Sequence, residues 1–361
     1  MNHNSGMMPA FDSALRALPR AALAAALLLA CAVAWAQQPA KPNQSRRGQQ
    51  SKQEEEARLS VEVNLVTVLA SVTDSNGRPI PDLPRESFEL YEEGVKQKID
   101  LFDPETSQPL DIVLMVDTSM STLKELAYIK EAAAHFIRQV VRPGDRMAVF
   151  EFDSAVTQLS EFTADVRALQ AAVRDAMAGT GTSLYDAVYL GSSALLNRAP
   201  GRRRALVLIT DAGETTSNST FEIARRTALR SETLLYTVII NPVRTESGRN
   251  TAGEHALLTI TDVTGGVMFK PRSPDDLSII FDRIDRELRT QYRLGYYPEP
   301  RPPARSQRRI EVRVVPPPAG TQPAAAPQST ATPRDDRSVV SKLPPGFLVR
   351  HRRAYLTGPF E

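Results

Sequence analysis

Hydrophobic and polar positions change period several times along this chain, and each change predicts an element. From Ser60 to Thr73 the run SVEVNLVTVLASVT is rich in β-branched residues and roughly alternates, which predicts a long strand. Asp74-Ser75-Asn76-Gly77 then supplies a turn, because Asn, Asp and Gly accept the backbone that tight turns need. Phe88 with Leu90, and then Val95 to Phe102, predict two further strands, with Gly94 in the turn between them. After Asp111 the alternation gives way to a continuous apolar run, Ile112 to Val116, the pattern of a strand covered on both faces. Thr122 to Val141 places Leu123, Leu126, Ala133, Phe136, Ile137 and Val140 at helical spacing. Further strands are predicted at 146–152, 203–210, 234–240 and 266–270, with a hairpin through 156–162. Helices are predicted at 164–177, 183–197, 221–230, 254–263 and 275–288. Strands alternating with helices predict an α/β fold, a doubly wound, mainly parallel sheet with helices on both faces.

Beyond Thr290, QYRLGYY, RRIEVRVV and FLVRHRRAYL predict three more strands, the last two separated by a Pro- and Ala-rich loop at 316–338. Thirteen of the 27 prolines lie from Pro298 onward, which sets this quarter apart from the α/β region. The flanking segments 58–105 and 291–361 hold three predicted strands each, too few to enclose a core alone. They are expected to join as one β-sandwich-like domain, with the α/β domain of residues 110–290 inserted between them.

Residues 1–36 read as an address. Arg16 and Arg20 precede an uncharged run that is short for a membrane span and ends Ala34-Trp35-Ala36, a small-x-small cleavage pattern. Leu28-Leu29-Ala30-Cys31 also resembles the signal for lipidation of a cysteine, and an uncleaved anchor is a third reading. All three send the chain out of the cytoplasm, to the periplasm or beyond, and membrane attachment is expected only through lipidation at Cys31. Residues 37–57 are polar, with Glu54-Glu55-Glu56, and read as a disordered linker.

Composition narrows the function classes. Apolar residues make up 42% and charged residues 24% of 361, ordinary for a globular protein. Lys plus Arg is 44 against 42 acidic residues, so there is no global electrostatic footprint for nucleic acid. Cys31 is the sole cysteine, which excludes an internal disulfide and a Cys-based zinc site. No HExxH, G-x-S-x-G elbow or phosphate-binding P-loop occurs.

The two most apolar strands both end at an aspartate, in Asp117-Thr118-Ser119-Met120-Ser121 and in Leu208-Ile209-Thr210-Asp211. In a loop leaving a strand, alternate residues can face one point, so Asp117, Ser119 and Ser121 can converge at the carboxyl edge of the sheet, where open α/β sheets bind ligands. Hard oxygen donors of this kind select Mg²⁺, Mn²⁺ or Ca²⁺ over soft metals. Gly179-Thr180-Gly181-Thr182-Ser183 lies between these strands and offers another hydroxyl. On its own, the first motif also fits a helix N-cap network, and Asp211 a capped turn.

Together these residues resemble the von Willebrand factor type A domain, whose metal-ion-dependent adhesion site uses D-x-S-x-S, a threonine in a Gly-rich loop and an aspartate after a central strand. Asp117, Ser119 and Ser121 match the first motif, Thr182 in GTSLYDA the threonine, and Asp211 in LITDAGE the second aspartate. Thr182 is preferred to Thr180 because it directly precedes the helix-forming SLYDAV. The flanking VNLVTV and QYRLGYYP segments resemble those of a family of secreted acidobacterial proteins that carry this domain. The resemblance implies a divalent cation, Mg²⁺ foremost, held by Asp117, Ser119, Ser121, Thr182 and Asp211. An Asp or Glu of a protein partner would complete its coordination, so the implied function is metal-dependent protein binding or adhesion rather than catalysis. Ala212 stands where the family often has glycine. The alternatives are a structural subunit of an envelope assembly and a metal-dependent phosphohydrolase. Haloacid-dehalogenase-type enzymes need a second aspartate where Ser119 stands here.

Asp153 at the end of RMAVFEF is expected to be a turn residue, and Asp186 either a support for the site or an ordinary cap. His135, inside a predicted helix beside Phe136, is expected to pack or to sit at the edge of the buried face. Arg202-Arg203-Arg204 and the basic cluster at 350–353 read as solvated faces, with binding to an anionic surface as the alternative for either.

Overall fold

A computed structural model of the chain describes residues 65–104, 108–240, 250–273, 275–315 and 347–358. The address, Cys31, the 37–57 linker and the 316–338 loop fall outside the described residues. Among the described residues no helix is long and apolar enough to cross a membrane.

Strand β5 (Leu110–Asp117) is buried along all eight of its residues and forms the spine of the α/β domain. The chain continues through α1 (Leu126–Val140), β6 (Arg146–Phe152), β7 (Val156–Gln158), α2 (Val166–Asp175), α3 (Leu184–Leu196) and β8 (Arg203–Thr210). It then adds α4 (Phe221–Arg230), β9 (Leu234–Ile239), α5 (Thr251–Thr264), β10 (Met268–Phe269) and α6 (Asp276–Arg289). The sheet order is β10-β9-β8-β5-β6-β7. Every pairing is parallel except that of the edge strand β7 with β6.

Alternation along β5 assigns its side chains to two layers. Leu110, Ile112, Leu114 and Val116 pack with Ile129, Phe136, Leu169 and Phe281, from α1, α2 and α6. Val113 and Met115 pack on the other face with Leu184, Val188, Ala224, Leu257 and Ile260, from α3, α4 and α5. The fold is therefore a doubly wound α/β sheet. From β5 the connection to β6 builds one way and the connection to β8 builds the other, so the switch point lies between β5 and β8.

Before this domain come β1 (Val66–Asp74), β2 (Phe88–Glu92), β3 (Val95–Gln97) and β4 (Leu101–Asp103). After it come β11 (Tyr292–Tyr296), β12 (Gln307–Val314), β13 (Phe347–His351) and β14 (Ala354–Leu356). They make two antiparallel sheets, β13-β1-β11-β4 and β14-β12-β2-β3. Each sheet mixes strands from both flanks, and Val68, Leu90, Tyr292, Val312 and Val349 meet in a single apolar core between them. Buried Glu92 ties this core together: it accepts hydrogen bonds from the Tyr296 and Tyr355 hydroxyls, at 2.8 and 3.0 Å, and from Arg308 Nε at 2.9 Å.

Two predicted strands are each divided in two. Val95 to Phe102 splits into β3 and β4, and FLVRHRRAYL into β13 and β14, with the halves in different sheets. At both corners the chain crosses from one sheet to the other, a change of direction that an apolar pattern does not record. Helix α1 begins at Leu126 rather than Thr122, because residues 120–122 form a separate 3₁₀ turn.

The basic clusters are not solvated faces. Arg203, His351 and Arg352 are buried. Arg350 pairs with Glu287, and Arg352 Nη1 lies 2.7 Å from Glu232. His135 is exposed on α1.

Candidate metal centre

The switch point places the ends of β5 and β8 side by side. Val116 pairs with Ile209 in the parallel ladder, so Asp117 and Thr210 follow as neighbours. The Thr210 hydroxyl donates to Asp117 Oδ2 at 2.6 Å and accepts from the Ala212 amide at 2.9 Å. Asp117 Oδ1 accepts from the Ser119 amide at 2.9 Å. Asp117 is fully buried, and burial foremost, with Asp211 adding to it, pushes its carboxyl up to about 6. A cation beside it would reverse that shift by favouring the charged form.

Beyond Asp117 the chain turns sharply. The Thr122 hydroxyl folds back to donate to the carbonyls of Asp117 and Ser119, at 3.1 and 3.0 Å. This turn brings the hydroxyls of Ser119 and Ser121 to 3.1 Å from each other. Ser119 is buried, whereas Ser121 is exposed.

Two other loops are tied to this one through the backbone. The Gly179 amide donates to the Thr118 carbonyl at 2.9 Å, and the Thr118 amide to the Phe152 carbonyl at 2.9 Å. The Ser183 amide donates to the Asp153 carbonyl at 2.6 Å. Thr182 faces the loop after β8: its carbonyl accepts from the Thr215 amide at 2.8 Å, and its amide donates to the Thr215 hydroxyl at 2.8 Å. Asp211 Oδ1 accepts from the Gly213 amide at 2.8 Å. Gly213 leaves room for both donors, since a Cβ there would stand 3.0 Å from Asp211 Oδ1 and 3.2 Å from Thr182 Oγ1.

Asp117, Ser119, Ser121, Thr182 and Asp211 thus lie on three loops bound to one another at the carboxyl edge of the sheet. The donor set is two carboxylates and three hydroxyls, hard oxygens suited to Mg²⁺, Mn²⁺ or Ca²⁺. Among the described residues no group of three His, Cys, Asp or Glu side chains could hold a metal, so an ion here would depend on the hydroxyls.

Thr210 is the residue that the sequence reading passed over. Its signal was available: a hydroxyl closing the buried apolar run of β8, immediately before Asp211. Ala212 adopts a left-handed backbone, φ 65°, where glycine would be unstrained. Asp153 makes a turn, its Oδ1 accepting from the Ala155 amide at 2.9 Å. Asp186 accepts from the amides of Asn218 and Ser219 at 2.8 and 2.7 Å, and so supports the loop that follows Thr215.

Residues 112–214 match the family model of the von Willebrand factor type A domain. Similar solved structures include BatB from Bacteroides thetaiotaomicron, 14% identical over 50% of this chain and 98% of that one, with a TM-score of 0.40. Another is the corresponding domain of the type V pili tip protein Mfa5 from Porphyromonas gingivalis, 14% identical over 51% and 96%, with a TM-score of 0.41. A von Willebrand factor type A protein from Catenulispora acidiphila is 13% identical over 69% of each chain, with a TM-score of 0.44. No curated protein matches the chain.

Proposed function

We propose that this protein is an exported protein-binding or adhesion module whose binding depends on a divalent metal ion. The observation that carries the reading is the convergence of three tied loops on two carboxylates and three hydroxyls at the sheet's switch point. Ser119, Ser121 and Thr182 would bind the ion through their hydroxyls. Both Asp117 oxygens already accept hydrogen bonds, which favours its acting through a bound water. Asp211 would hold the ion directly or through water.

When bound, the ion would be held directly by neutral hydroxyls with Asp117 acting through water, so its positive charge would stay receptive to an anionic oxygen. A partner's Asp or Glu is the side chain that fits. Met120, Leu123 and Met177 are exposed beside the loops and offer an adaptable apolar rim for the rest of that partner. The chain itself positions donors and presents the rim. Among enzyme readings, a phosphohydrolase would need an acid/base carboxylate where Ser119 stands.

The test is calorimetric titration of Mg²⁺, Mn²⁺ and Ca²⁺ into the purified protein, beside an Asp117→Ala/Asp211→Ala variant. One-site binding lost in the variant is expected. Acetate added to the Mn²⁺ form should then displace metal-bound water and lower the water-proton relaxation rate. Binding that survives the double substitution, or a Mg²⁺ complex with six protein ligands, would overturn the reading.

A further inference from the structure

A cavity in the described part of the chain lies away from the metal loops. It measures about 220 Å³ and lies at the opposite end of the central sheet, where β8 and β9 begin, between the α/β domain and strands β1 and β11 of the sandwich. Its wall contains Arg202, Arg203, Arg204, Arg293 and Arg352, with Glu232 as the one acidic residue.

The charges of this wall do not cancel. Arg202 Nη2 lies 2.8 Å from Asp111 Oδ1, Arg293 pairs with Asp103, and Arg352 Nη1 lies 2.7 Å from Glu232. Arg203 and Arg204 have no carboxylate partner among the described residues. Arg203 Nε donates to the Gln108 carbonyl at 2.9 Å, and its other donors reach the Leu288 carbonyl and the Gln291 side-chain oxygen. Arg204 donates to the Ser231 and Arg198 carbonyls, at 3.0 and 3.2 Å. These acceptors are neutral. In addition, the Nε groups of Arg202, Arg204 and Arg352 are buried without a hydrogen-bond partner among the described residues.

Buried cations are normally paired, because removing a charge from water is costly unless an opposite charge replaces the water. Arg203 registers that cost: burial foremost, and then nearby Arg289, pull its guanidinium down to about 10 against the opposing charge of Asp145. Two guanidiniums without a direct ion-pair partner among the described residues match a dianion better than a single carboxylate. Guanidiniums also suit phosphate oxygens geometrically, since their donors form a planar fork. The volume accommodates a phosphate with a few further heavy atoms but is below the usual range for nucleotide-sized ligands.

We propose that this cavity binds a small phosphate-bearing dianion, at a site separate from the metal loops and independent of metal. A ligand here would bridge the start of β8, the α4–β9 connection and the sandwich, and so would stiffen the junction between the two parts of the chain.

The experiment is a calorimetric titration of the full chain with inorganic phosphate in EDTA, at ionic strength held constant with chloride, and separately with acetate. One saturable phosphate site is expected, with acetate weaker. Arg204→Gln should lower phosphate affinity by about tenfold or more, the size of a lost charge-assisted hydrogen bond. Glu232→Gln removes the carboxylate that competes for Arg352 and should raise affinity by up to about fivefold, the scale of one partly exposed ion pair. Arg309→Gln, at an exposed position outside the cavity, should change nothing. No saturable binding by the wild type, acetate binding as well as phosphate, or a Glu232→Gln variant that binds more weakly would each overturn the proposal. If Arg204→Gln does not fold, Glu232→Gln decides.

Discussion

His351 gives the sandwich a calculable sensitivity to acid. It ends β13, in one sheet, and its ring reaches β12 in the other: Nε2 accepts from the Val312 amide at 3.0 Å, while Nδ1 donates to the Arg352 carbonyl at 2.7 Å. Protonation would place a second N–H against the Val312 N–H, and the ring is buried. Burial, and after it the nearby Arg353, lowers the imidazole from 6.5 to about 4. The sign follows from linkage. Between about 4 and 6.5 the unfolded chain holds more protons than the folded one, so stability falls as pH falls through that window. At ~1.36 kcal/mol per pH unit, the loss is about 3 kcal/mol by pH 4. Asp117 acts in the opposite direction. Its folded value of about 6 lies above the ordinary 3.8, so in the absence of metal its contribution is fully present below pH 3.8 and is lost as pH rises toward 6, again about 3 kcal/mol. The two nearly cancel in the wild type, so the comparison with His351→Gln is the informative one. Urea unfolding followed by far-ultraviolet circular dichroism in EDTA, between pH 7 and pH 4.5, should show the gap between wild type and variant narrowing steadily as pH falls. Parallel curves would refute the reasoning.

Other perturbations address the site and the interleaved sandwich. Thr210→Val removes the 2.6 Å bond to Asp117 and the acceptor of the Ala212 amide. It should cost about 1–3 kcal/mol in urea unfolding and weaken metal binding in the same sample. Gly213→Ala pushes a methyl between Asp211 Oδ1 and Thr182 Oγ1 and should lower Mg²⁺ affinity about 10–100-fold, the range for disturbed ligand positioning, with a much smaller change in Tm. Deleting 291–361 removes β11 and β13, both neighbours of β1. Hydrogen exchange should then show protection lost from 65–104, and unchanged protection there would count against a shared core.

The α/β domain was legible in the sequence because its signals are local. Apolar runs such as Ile112 to Val116 and helical spacings such as that around Phe136 belong to single elements. The D-x-S-x-S motif and Asp211 were legible because both sit where an apolar run stops. Thr210 was not, since its importance comes from pairing across the sheet with Asp117, 93 residues earlier. The sheet-switching corners between β3 and β4 and between β13 and β14 were hidden because side-chain polarity reports burial rather than strand direction. Arg203 and Arg352 read as solvated because their partners, the carbonyls of Leu288 and Thr67, are remote in sequence. A basic cluster looks the same on paper whether water or distant backbone satisfies it.

The mixed parentage of the sandwich sheets also sets a clock on synthesis. β1 ends at Asp74, but its neighbour β11 begins only at Tyr292. At ~5–20 residues per second, the early strands wait on the order of 10–40 s for their partners to be made. The inserted domain, whose sheet draws on residues 110–269 alone, can close in the meantime. The last-made strands therefore act as the latch, and until they arrive β1 and β2 present open strand edges for a chaperone to guard.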